Sequence, residues 1–214
     1  MTPEHPPSRA TVGVILAAAL AACGHSAPTH YLTLGAVAPA TRPETAIAPI
    51  SVRLLAVHWP AAFDRLEVVR PTDGVELALD DSARWSAALG DLASAALAED
   101  LRARAPGLTL APGAGRDAPG DLDLSVQVVA LTLHEGTYAM TVTFGLETPD
   151  GASLARRRAV TLEASAGSTG SVDEARALSR LLAALADEIV LDLPGAVRGL
   201  SSPPPATATH RPTP

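Results

Sequence analysis

The sequence predicts an α+β fold, a two-layer sandwich with two long helices packed on one face of a mainly antiparallel sheet. Three observations lead there. Two stretches, 82–104 and 171–193, repeat apolar residues at helical spacing, so each can bury one stripe. Other stretches alternate apolar and polar residues, the pattern of strands wetted on one side. The coarse order is strand, hairpin, helix, three-stranded meander, helix, and two helices laid on one sheet face would cover both stripes.

Ile50 to His58 (ISVRLLAVH) is apolar and β-branched and reads as the first strand of the domain. Trp59-Pro60 ends it, because proline cannot donate to a ladder. Leu66–Arg70 and Val75–Leu79 flank Pro71-Thr72-Asp73-Gly74, whose Pro and Asp-Gly chemistry makes the pair a hairpin. Asp80-Asp81-Ser82 then supplies N-cap and first-turn acids for a helix from Ser82 to Arg104, with Trp85, Leu89, Leu92 and Ala96 on one stripe. Pro106-Gly107 stops it. Residues 111–120 (APGAGRDAPG) form a loop whose Gly-x-Gly lacks the strand and helix that a phosphate cradle needs.

Leu122, Leu124, Val126 and Val128 share one face, and then the apolar positions slip to Val129, Leu131 and Leu133. A slip of one residue reverses every side chain, so a bulge is expected near Val128-Val129. His134-Glu135-Gly136 turns into a strand from Tyr138 to Leu146, and Pro149-Asp150-Gly151 turns into another from Leu154 to Glu163. Arg156, Arg157 and Arg158 are consecutive there and must face both sides, as in a solvated edge strand. Ser171-Val172-Asp173-Glu174 fits a capping box. The helix after it sets Leu178, Leu181, Leu182, Leu185 and Ile189 at core spacing and ends before Pro194-Gly195.

The N-terminus sets the compartment. Val12 to Ala22 (VGVILAAALAA) follows Arg9 and precedes Cys23, the only cysteine of the chain. A charged start, a short apolar run and small residues at the cut form a secretory signal. Its 11 residues fall short of the roughly 17–25 that span a bilayer. Leu20-Ala21-Ala22-Cys23 resembles a bacterial lipobox, which is cleaved between Ala22 and Cys23 and alkylated on the thiol. The cofactor expectation is therefore none, beyond a covalent diacylglycerol and N-acyl lipid on Cys23. Gly24 stands where an inner-membrane retention aspartate would, which favours the periplasmic face of the outer membrane.

The organisation read from this is a signal peptide over 1–22, an acylated N-terminus and flexible tether over 23–49, a domain over 50–195 and a Pro-rich disordered tail over 196–214. Within the tether, Tyr31-Leu32-Thr33-Leu34 alternates and can add to a sheet edge. Removing residues 1–22 from the 214 leaves 192, enough for one ordinary domain with tails. The signal takes one Glu and one Arg with it, so the net charge of −7 is unchanged. An acidic chain with scattered arginines has no nucleic-acid footprint.

Catalytic chemistry is not assembled. The six histidines are scattered, no pair has metal-ligand spacing, and the lone cysteine is already assigned. Gly167-Ser168-Thr169-Gly170 is not a nucleophile elbow. His134-Glu135 reads as an exposed turn, Asp80-Asp81 as a helix cap, and Asp121 and Asp123 as a wet strand face. The chain reads as a non-enzyme with neither catalytic nor metal residues.

Tyr31-Leu32-Thr33-Leu34, then Pro60-Ala61-Ala62-Phe63-Asp64-Arg65-Leu66-Glu67-Val68-Val69-Arg70, then Arg84-Trp85, follow one another behind the lipobox. This order resembles the PqiC family of ABC-type transport auxiliary lipoproteins, over roughly Tyr31 to Leu193. Phe63 stands for the family's usual aromatic, and Arg65, Val69, Arg70 and Trp85 match. A single Tyr replaces the common pair, and Ala88 stands where Pro is frequent. The resemblance implies a non-catalytic lipoprotein that works with an MCE-domain protein in moving phospholipid or other hydrophobic molecules between membranes. Phe63, Arg65, Arg70 and Trp85 become candidate partner-interface residues, although Trp85 on a helix stripe reads first as core. Homo-oligomerisation stays open. Two other classes are an assembly lipoprotein of the LptE kind, serving an outer-membrane β-barrel, and a lipid carrier with its own apolar cavity.

Overall fold

The computed structural model of the protein describes residues 28–40, 49–72, 76–111, 120–149, 154–168 and 170–200. The lipobox with Ala22 and Cys23, the tail from 201, the Gly-x-Gly loop and the turn residues 73–75 and 150–153 lie outside the described residues. The elements are β1 (His30–Leu32), β2 (Ile50–His58), β3 (Glu67–Pro71), β4 (Leu77–Trp85), α1 (Leu89–Arg104), β5 (Leu108–Ala111), β6 (Leu122–His134), β7 (Thr137–Glu147), β8 (Leu154–Ser165) and α2 (Ser171–Leu200). They form the expected α+β fold.

The alternating stretches become the meander β6-β7-β8 inside a five-stranded sheet of order β5-β2-β6-β7-β8. Leu122, Leu124, Val126 and Val128 are buried, and the β6–β7 register shifts between Val128 and Ala130, where the bulge was expected. Val129 is the extra residue and is exposed. Glu135 and Gly136 close the hairpin with φ of 48° and 74°, the turn hand that matches strand twist. α1 packs over β2 and β5, α2 over β7 and β8, and the helices pack on each other. Both apolar stripes therefore lie on one sheet face. Leu97, Leu101, Leu124, Met140, Leu146, Leu181 and Leu182 are all fully buried there.

Both sheets are mixed: the long ladders of the meander and the β3–β4 pair are antiparallel, and the shorter ladders add parallel pairings. β2 runs parallel to both β5 and β6, and β1 runs parallel to β4. Parallel neighbours need a long crossover, and α1 provides it between β2 and β5. β5, at Leu108–Ala111, was not anticipated because its four residues adjoin a loop-like sequence. β1, β4 and β3 form a separate three-stranded sheet, with β1 at its edge.

The first helix begins at Leu89, not Ser82. Asp80-Asp81-Ser82 belongs to β4, which continues to Trp85 with Ala83 and Trp85 buried at a period of two. Pairing with β3 and β1 outweighed the capping signal. The second helix passes Pro194 and runs to Leu200. Leu193 and Ala196 are fully buried, so packing on both sides of the proline outweighs the one backbone donor it lacks.

The segment expected as a flexible tether is a packed strap over 28–40. Leu34 is buried, the Gly35 N–H donates to Ser179 Oγ at 3.2 Å, and the Val37 N–H donates to Asp100 Oδ1 at 2.9 Å. Arg104 donates to the Val37 carbonyl at 2.9 Å. The strap therefore bridges α1 and α2.

Candidate functional site

The loop after β2 and the two strands beyond it hold all four candidate interface residues. Pro60 starts a tight turn in which Phe63 and Asp64 both donate to its carbonyl, at 2.8 and 3.2 Å. The turn points Phe63 inward, 8 % exposed. Asp64 caps α1 from outside, its Oδ1 accepting the Gly90 N–H at 3.1 Å. Ala88 at the N-cap has no side-chain acceptor, so the loop supplies one. Gly90 is required there, since a Cβ would lie 2.9 Å from the Val57 carbonyl oxygen.

Arg65 is exposed and donates to Glu67 at 2.7 Å. The guanidinium holds the Glu67 carboxyl below the usual range. Trp85 is 2 % exposed at the end of β4 and donates its backbone N–H to the Leu66 carbonyl at 2.7 Å. It is a core residue, as its first reading had it, but of a strand rather than a helix. Of the four, only Arg65 is presented to solvent with most of its guanidinium free for another surface.

Arg70 turns inward to the start of α2. It donates to Glu174 Oε2 and to Ser171 Oγ, both at 3.2 Å. Ser171 in turn donates to the Asp80 carboxylate, and the buried Tyr138 hydroxyl stands near enough to Glu174 for each to influence the other's charge. Burial pushes the Glu174 carboxyl up to about 7 against the pull of Arg70. Burial and the neighbouring Glu174 raise the Tyr138 hydroxyl too, while the hydroxyls of Ser171 and Ser82 hold Asp80 down at about 2. The expected capping box is thus absent: Ser171 and Glu174 are engaged across the fold, and the Asp173 and Glu174 N–H groups bond to the Gly170 carbonyl instead. This cluster bolts β3, β4 and β7 to α2.

Two further buried charge clusters tie elements together. Arg53, 7 % exposed, donates its Nε to Asp123 at 2.7 Å between β2 and β6, so Asp123 is not merely on a wet face. Arg104 joins Asp100 on its own helix to Asp187 on α2, at 2.9 and 2.7 Å. On β8, Arg157 pairs with Glu147 while Arg158 reaches Glu188 and Asp192 on α2. The arginines do face both sides, and one side is a helix. Arg156 lies outside the residues whose side chains are described.

Chemically, these groups hold one another. Among the described residues no three His, Cys, Asp or Glu side chains could hold a metal ion. His134 and Glu135 are both at least 80 % exposed on their turn, 3.9 Å apart. Glu174, though poised near neutrality, lines none of the three described surface grooves. These measure about 460 Å³ between the strap and α2, 360 Å³ between β2 and α1, and 240 Å³ beside His58. Among the described residues no helix is long and apolar enough to cross a membrane.

Comparison with known proteins bears on the whole domain. The family described as ABC-type transport auxiliary lipoprotein component matches residues 32–190. A crystal structure of an uncharacterized protein superposes with a TM-score of 0.63 at 18 % identity, covering 78 % of this chain and 99 % of that one. A DUF330 protein of Xanthomonas campestris gives 0.59 at 15 % identity, covering 81 % and 99 %. These two likenesses show a shared fold. No curated protein matches the sequence.

Proposed function

We propose, because the chain belongs to the family of ABC-type transport auxiliary lipoprotein components, that it is a non-catalytic subunit anchored through acylated Cys23 to the periplasmic face of the outer membrane. There it assists an MCE-domain protein in moving phospholipid or other hydrophobic molecules between membranes. The observation that carries this reading is the extent of the family match, from the end of β1 to the middle of α2, which takes in most of the packed domain. Supporting it, Cys23 follows an apolar run and two alanines, the arrangement in which a lipobox thiol is alkylated and the chain then cut before it. An anchor with more than one chain is needed for lasting attachment, since each buried methylene contributes about 0.8 kcal/mol and one chain holds only marginally.

The filled interior favours a docking role over a carrier role: the space between helices and sheet is occupied by Leu97, Leu101, Leu181 and Leu182. Arg65 is then the residue through which the Pro60 loop meets a partner, with Phe63 and Trp85 fixing the loop from beneath and Arg70 bolting β3 behind it. The test is chemical crosslinking in native membranes followed by capture of the lipoprotein and mass spectrometry. Recovery of an MCE-domain protein, reduced by Arg65→Glu, is the expected result. Recovery of a β-barrel, or of no transport component, overturns the reading.

A further inference from the structure

Three exposed apolar side chains stand where the chain enters the small sheet. Tyr31 on β1 is 73 % exposed, and Leu77 and Leu79 on β4 are 47 % and 55 % exposed. On one side β4 pairs with β3; on the other, β1 covers only Ala83 to Trp85. Among the described residues, the Leu77–Ser82 edge therefore has no strand beside it.

Direction makes this patch more than scattered surface. β1 is parallel to β4, so moving back along β4 from Ala83 to Leu77 is moving towards the side from which the chain enters at His30. Because β4 bulges between Asp80 and Arg84, length is counted on β3, whose Glu67, Val69 and Pro71 face Arg84, Leu79 and Leu77. At about 3.3 Å per residue, Leu79 lies about 7 Å and Leu77 about 13 Å back from Arg84 along that line. Cys23 is seven residues before His30, a length of chain that spans at most about 25 Å. A lipid on Cys23 is thus tethered within reach of Leu77 and Leu79, with no room for the domain to stand far from the bilayer.

We infer that Leu77, Leu79 and Tyr31 form a second membrane contact, resting the free end of the small sheet on the lipid surface that holds Cys23. The inference rests on the reading of Cys23 as acylated. Side-chain chemistry fits an interfacial lipid layer. Tyrosine joins an apolar ring to a polar tip and settles at such boundaries. The flanking Glu76 and Asp81 are acidic, so the attraction is apolar and does not depend on anionic headgroups. The contact would also fix the domain's orientation, which a lipid on a short leash alone leaves free to rotate.

The test uses the full lipidated protein in phosphatidylcholine vesicles, carrying Leu79→Cys or, as an independent probe, Leu77→Cys. Acylated Cys23 cannot react, so an environment-sensitive thiol dye reports on the new position alone. Val129→Cys, exposed on the bulge of β6 in the other sheet, is the control. The expected result is blue-shifted emission, quenched by brominated lipid, at 77 and 79 and not at 129. Water-like emission at 77 and 79 overturns the inference alone. So does a blue shift that brominated lipid does not quench and that grows with protein density, which would mean a second copy of the chain. An intact-mass spectrum lacking the acyl groups, with two thiols labelled, overturns this inference together with the anchor on which it rests.

Discussion

Glu174 is the residue whose environment differs most from its sequence appearance. It looks like a capping carboxylate, yet it is 1 % exposed and faces Arg70 and Tyr138. Its carboxyl titrates near 4.5 in the unfolded chain and about 7 in the fold. The folded state therefore binds the proton more tightly, and this stabilisation is complete below pH 4.5 and lost as pH rises through 7. The gap corresponds to at most about 3 kcal/mol. Thermal melts should show stability falling between pH 5 and 7.5, with Glu174→Gln flattening that slope; an unchanged slope in the variant would refute the assignment. Asp80 acts in the opposite sense, its contribution disappearing as pH drops from 3.8 towards 2. Arg70→Ala leaves the ionised Glu174 unpaired, at a cost of about 3–5 kcal/mol at pH 8. The loss should shrink at pH 5, where the carboxyl is neutral, and urea melts at the two pH values measure the difference.

At the scale of elements, the start of α1 depends on the Pro60 loop. Its cap is Asp64, 26 residues upstream of the Gly90 N–H it accepts. Asp64→Ala should lower stability by about 1 kcal/mol in a urea melt, and Asp64→Asn, which keeps an acceptor, should recover most of that. Equal losses in the two variants would show that the cap is not what the loop provides. No local window of sequence could have paired these residues. Ser82 offered a better-looking cap, but strand pairing of Asp80 to Trp85 removed that stretch from the helix. The meander was legible throughout, because its bulge, turns and alternation are local. The parallel placement of β2 was not, since a strand's sequence does not name its neighbours.

For the whole molecule, the strap over 28–40 fastens the helix pair from outside, and Asp100 is its main attachment. Its carboxylate, with its pKa raised by burial, receives the Val37 N–H and Arg104 together. Asp100→Ala should free the strap. Limited proteolysis would then cut within residues 28–40 well before the domain is degraded, whereas the wild-type strap resists. Equal cleavage of the two proteins would show that Leu34 and the remaining hydrogen bonds suffice. A seated strap holds the chain to the helix pair from residue 28 onward, so on the proposed acylation of Cys23 only a short stretch would separate the lipid from the domain.

By itself the sequence determined the α+β class, the meander with its bulge, two helices on one sheet face, and the family resemblance that the match over 32–190 bears out. Each is written in short-range periodicity, turn residues or ordered motifs. Tertiary structure alone decided that residues 28–40 pack, that β2 lies between two parallel neighbours, and that Arg70 and Glu174 meet across 104 positions of chain. It also decided which of the four motif residues faces solvent, leaving Arg65 outside and turning Phe63 and Trp85 in. The physical reason is that burial of a charge or an aromatic ring depends on which distant surface arrives to cover it, and local pattern holds no record of that arrival.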